Sequence, residues 1–73
     1  MITFIGTFGV HDSMSDRYQP ISAHTEAAAA QAMERQHGTG YCAIYTADEF
    51  LQERNAGRYA GTRPLKLIGE EIA

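Results

Sequence analysis

The chain has 73 residues, a mass of 8.0 kDa, six Lys and Arg against nine Asp and Glu, a net charge of −3 and a single cysteine. That length leaves room for one domain over residues 1–73, and a core of this size contributes only about 3–5 kcal/mol, so self-association or a tight partner is expected to help. The lone Cys42 rules out an internal disulfide and fits a reducing cytoplasm, no apolar run approaches the roughly 20 residues of a membrane span, and the acidic balance disfavours wholesale nucleic-acid coating without excluding a local basic site.

In chain order, Met1 to Phe8 alternates Ile2, Phe4, Gly6 and Phe8 with Thr3, Ile5 and Thr7, the pattern of a strand with one well-buried side. A polar connection from Gly9 to Asp16 follows, rich in turn formers. Arg17 to Ala23 extends again, and Pro20, lacking an amide proton, pushes this second strand toward an edge or a bulge. Thr25 is placed to cap a helix that runs to about His37; its alanines let it lie close to a sheet, while Met33 supplies the bulk.

Gly38 and Gly40 end that helix, and Tyr41 to Tyr45 reads as an apolar and aromatic strand. Thr46 and Glu49 have capping-box spacing, opening a second helix from about Ala47 to Ala56 with Phe50 and Leu51 as core contacts. After Pro64, Leu65 to Gly69 offers a last short strand, and Glu70 to Ala73 is expected to fray. The order β-β-α-β-α-β predicts a small α+β sandwich: one antiparallel or mixed sheet with both helices on one face.

No constellation of catalytic type emerges, and the chain reads as a non-enzyme without metal or cofactor. His11, Asp12, Ser13 and Ser15 form a polar turn rather than a nucleophile and its base. His11, His24, His37 and Cys42 lack the short spacing of a zinc site, and Cys42 is expected inside an apolar strand, inert. Asp48, Glu49 and Glu53 could present an acidic partner face, although acids at a helix start also complement its dipole. The least bland feature is cationic: Arg54, Arg58, Arg63 and Lys66 fall in an interval without a carboxylate, among Gly57, Tyr59 and Gly61. Such a loop can offer guanidinium forks, an aromatic face and amides to a phosphate, a nucleobase or a partner.

The succession Thr7-Phe8-Gly9 with His11, Arg17-Tyr18, Thr25-Glu26, a helix ending at Gly38, Ala43-Ile44-Tyr45-Thr46 and Asp48-Glu49-Phe50 resembles a family of small uncharacterised proteins of tailed bacteriophages. The resemblance covers most of residues 3–50. Gly40-Tyr41-Cys42-Ala43 departs from the bulkier, tryptophan-bearing strand of that pattern, as does the Arg-rich stretch after Asn55. What the resemblance implies is a phage origin and the host cytoplasm as workplace, with no catalytic residue carried over. The expectation is therefore a small binding protein that inhibits host antiviral defence in the manner of an anti-CRISPR protein. Two alternatives stand beside it: a sponge for a nucleotide immune signal using Arg58, Tyr59, Arg63 and Lys66, and a phage housekeeping or assembly accessory. A homodimer or higher homo-oligomer is expected, because four short strands leave two open sheet edges.

Overall fold

The computed structural model describes residues 1–9 and 12–69. The elements are β1 (Ile2–Thr7), β2 (Arg17–Ala23), α1 (Glu26–His37), β3 (Ala43–Thr46), α2 (Ala47–Asn55), β4 (Arg63–Pro64) and β5 (Ile68–Gly69). The α+β class and the predicted order of elements are both present, and the five strands form one mixed sheet. Its order is β3-β1-β2-β4, with β5 also on β2. β1 runs antiparallel to β2 and β3, whereas β4 and β5 run parallel to β2.

Both helix starts follow their local chemistry. Thr25 accepts a 3.1 Å hydrogen bond from the Ala28 amide, and Gly38, with φ of 79°, turns the chain away after α1. At α2 the capping box is complete: the Glu49 amide donates to Thr46 Oγ1 at 3.2 Å, and the Thr46 amide donates to Glu49 Oε1 at 3.0 Å. Thr46 is thus the last residue of β3 and the cap of α2 at once. No connecting loop is spent there.

The register sorts the side chains onto two faces. Phe4 opposite Ile21, and Gly6 opposite both Gln19 and Ile44, lie on one side; Ile5 opposite Pro20 and Tyr45, and Thr7 opposite Tyr18 and Ala43, lie on the other. α1 covers the first side, packing Ala29, Ala32 and Met33 with Phe4, Phe8, Ile21 and Ala23. Met33 lies so close over Gly6 that an added Cβ there would sit 2.6 Å from its sulfur. α2 covers the second side through Phe50, whose ring stands 4.7 Å from Tyr18, 5.3 Å from Tyr59 and 6.5 Å from Tyr45. The helices therefore occupy opposite faces, not one face as the alternation in β1 suggested. The physical reason is that Ile5 is buried along with Phe4, so the central strand needs cover on both sides.

Four further expectations are revised. Leu51 is 54% exposed, and Phe50 alone of the pair anchors α2. Cys42 is exposed just ahead of β3, because the strand proper begins one residue later. The expected strand over 65–69 is two short pieces, Arg63–Pro64 and Ile68–Gly69, separated by a break. Pro20 does not place β2 at an edge, since β2 lies inside the sheet; it sits opposite that break. The Arg63 and Leu65 amides donate to the Asp16 and Tyr18 carbonyls, so even-numbered positions of β2 turn their backbone groups outward and Pro20 presents no amide to the gap. The expected fraying of Glu70 to Ala73, and His11 of the polar turn, lie outside the described residues.

Candidate functional site

The basic segment begins in the last turn of α2. Arg54 is exposed there, and its carbonyl accepts from the Gly57 amide. Arg58 Nε stands 3.2 Å from Glu53 Oε2, so one cation of the segment meets one carboxylate of the proposed acidic face. Tyr59 is half-buried rather than offered as an open aromatic platform. Its ring stacks on Phe50 at an interplanar angle of 26°, and its hydroxyl lies 3.0 Å from that of Tyr45. That hydroxyl contact, reinforced by burial, pushes the Tyr45 phenol up to about 12. Arg63 is exposed in β4, and Lys66 is exposed in the break between β4 and β5.

Two clefts divide these residues. The smaller, about 300 Å³, is lined by Ser15, Asp16, Arg58, Tyr59, Gly61 and Thr62. Its floor is set by a turn in which Thr62 donates through both its amide and its hydroxyl to the Tyr59 carbonyl. Arg58 and Tyr59 thus meet in one cleft, in the company of a carboxylate that offers hydrogen-bond acceptance rather than anion binding. Arg54 and Arg63 are not among its walls, and Lys66 lines the other cleft.

The larger cleft, about 500 Å³, opens at the break in the outer strand, with Met14, Leu65, Leu67 and Ile68 as apolar walls. Gln19, only 2% exposed, bridges the gap beside it. Its Nε2 donates to the carbonyls of Lys66 and Pro20, while His37 Nε2 donates to its Oε1 at 2.9 Å. These contacts fix the His37 ring, which also meets Phe8 edge-on at 5.0 Å. The side-chain amide thereby supplies a donor across the interval where Pro20 has none. This cleft was not foreseen from the sequence; the only hint was a glutamine at a core-facing position of β2 next to a proline.

The acidic candidates are engaged locally. Glu49 closes the capping box and Glu53 holds Arg58, while Asp48 is exposed in the first turn of α2. Among the described residues no three His, Cys, Asp or Glu side chains gather as a metal site, and no helix is long and apolar enough to cross a membrane. Comparison with known proteins finds no protein-family model that matches this chain, no similar curated protein and no similar solved structure.

Proposed function

We propose that the chain is a non-enzymatic binding protein of a tailed bacteriophage that works in the host cytoplasm by occupying a surface of an antiviral-defence protein, in the manner of an anti-CRISPR protein. The phage setting rests on the resemblance carried by residues 3–50. The binding mode is supported by one observation: among the described residues, the outer edge of β3 has no partner strand. Residues 41–46, Tyr-Cys-Ala-Ile-Tyr-Thr, contain no charge and no proline, the two devices that commonly guard an edge. The opposite edge is guarded, being broken into two-residue pieces that carry Arg63, Pro64 and, between them, Lys66.

An open, uncharged edge takes an extended segment by strand addition, main-chain bonds giving affinity and alternate side chains giving selectivity. A standard interface needs roughly 800 Å² per partner, about a sixth of the 4714 Å² this chain exposes. The same edge supports the homodimer in the absence of a partner, because two copies pairing across a two-fold axis meet no like charges. Sedimentation at micromolar concentration is expected to give a dimer; a monomer with no partner added rules that pairing out.

The nucleotide-sponge reading rests on a separate observation, the meeting of Arg58 and Tyr59 in the smaller cleft, where the Asp16 carboxylate calls for a ligand that also donates a hydrogen bond, as a base or ribose does. On that reading Arg58→Ala weakens nucleotide binding at least about tenfold, since one charge-assisted phosphate contact is worth ~1.5–3 kcal/mol, and adding Arg63→Ala, which lies outside that cleft, changes little further. An ultraviolet-absorbing small molecule in the purified protein supports the sponge. Purification from infected host cells that yields neither a host protein nor such a molecule favours an assembly or housekeeping role.

A further inference from the structure

We infer that the cleft at the outer-strand break binds a small amphipathic monoanion, an aliphatic or aryl carboxylate whose apolar body lies against Met14, Leu65, Leu67 and Ile68 and whose carboxylate meets Lys66. This goes beyond docking at β3 and uses none of that edge. The volume of about 500 Å³ is in the range of small-ligand sites, which run from roughly 300 to 1,000 Å³. Four of its lining residues are apolar and four, Gln19, Gln36, His37 and Lys66, are polar, a mixture that suits a ligand with an apolar body and a polar end.

Charge selects the other end of the ligand. Lys66 is an exposed cation of the lining, and among the described residues no carboxylate lines the cleft. The C-terminal end of α1 opposes an anion with about half a negative charge, a smaller and more diffuse contribution than the ammonium group. Arg35 and His37 stand in its last turn, and the Gly38 amide satisfies the Glu34 carbonyl at 2.7 Å, which lessens that opposition further.

The site is also built rather than incidental. The buried Gln19 spans the break, its amide donating to the Lys66 and Pro20 carbonyls where no continuous strand pairs with β2, so the backbone beside the cleft is held in place by a side chain. Gln19 and His37 already satisfy each other, so the ligand needs to replace no internal hydrogen bond.

The test is a titration of the isotope-labelled full chain with octanoate, octanol and octylammonium, followed by amide chemical shifts. Saturable shifts confined to residues 14, 36–37 and 65–68 are expected, with octanoate about threefold to fivefold tighter than octanol, as a partly exposed ion pair provides, and octylammonium weakest. Lys66→Gln should erase the preference for octanoate, and Leu67→Asp should weaken octanoate more than octanol. Both replace exposed side chains, so unfolding curves are expected to match the parent. Absence of saturable shifts at millimolar octanoate, equal affinity for octanol, or a preference that survives Lys66→Gln each overturns the assignment.

Discussion

Replacing Gly6 with alanine asks whether the close approach of α1 to the sheet holds the main core together. The new Cβ would lie 2.6 Å from Met33 Sδ, 2.8 Å from Cε and 3.4 Å from Cγ, and the first two are separations that real contacts do not tolerate. The clashing atoms are the far end of a flexible side chain, but Met33 is fully buried in the cluster with Phe4, Ile21, Ala29 and Ala32, so its shift must be taken up by close-packed neighbours. Overpacking of this kind costs about 1–3 kcal/mol, and the reduced freedom of the unfolded chain returns about 0.4–1 kcal/mol. Taking the midpoints, the net expectation is a loss of about 1.3 kcal/mol, or roughly 5–10 °C in Tm for a domain of this size.

Gly9 and Gly40 provide internal controls, since an added Cβ meets nothing within 4 Å at either position. Gly9→Ala and Gly40→Ala should therefore be neutral or slightly stabilising. Gly38→Ala separates a third case: the space is open, but φ of 79° penalises any side chain by about 1–2 kcal/mol. Urea denaturation of the four variants reads all three effects on one scale. Gly6→Ala as stable as Gly9→Ala and Gly40→Ala would refute the packing of α1 through Met33.

Phe50→Ala removes the ring that Tyr18, Tyr45 and Tyr59 share and should cost ~3–5 kcal/mol, comparable with the whole stability of so small a domain; a soluble variant with the parent's circular dichroism and urea midpoint contradicts it. Tyr45 holds its proton more tightly folded, at about 12, than at its ordinary 10.0. Its contribution to stability is intact below 10 and declines as pH rises toward 12, so Tyr45→Phe should flatten the alkaline part of the pH–stability curve, and an unchanged curve counts against the paired hydroxyls. Gln19→Leu preserves size but strands the Lys66 carbonyl and the His37 Nε2, and a loss of about 2 kcal/mol is expected in urea; less than about 0.5 kcal/mol means that the bridge does not hold the break.

Much of the frame is legible in local chemistry. Thr25 and Gly38 bracket α1, and Thr46 with Glu49 opens α2, because capping depends on residues only a few positions apart. The two-sided burial of β1 was harder to see: Thr3 and Thr7 flank Ile5 and make the second face look polar, yet Thr7 is buried and donates through Oγ1 to the Ala43 carbonyl. Leu51 and Phe50 are equally apolar in sequence, and only the aromatic neighbours contributed by three separate segments choose Phe50.

The basic segment was visible as a run of cations, but its division was not. The break around Lys66 and the turn at Tyr59 send those residues to different clefts, a consequence of pairing partners 47 residues away in the case of Gln19 and Lys66. The Tyr59 ring looked available to a base because nothing in its neighbourhood of sequence shows that Phe50 and Tyr45 would take it. Long-range pairing of this kind leaves no local signature.

The β3 edge is tested most directly by affinity capture from infected host cells with the parent chain and Cys42→Lys side by side. The substitution places a charge, as natural sheets do, at the start of the open edge, and it replaces an exposed side chain, leaving the fold intact. Strand addition at β3 predicts one host protein recovered in near-equimolar amount with the parent and strongly depleted with Cys42→Lys. Equal recovery with both chains, or no host protein with either, would contradict it.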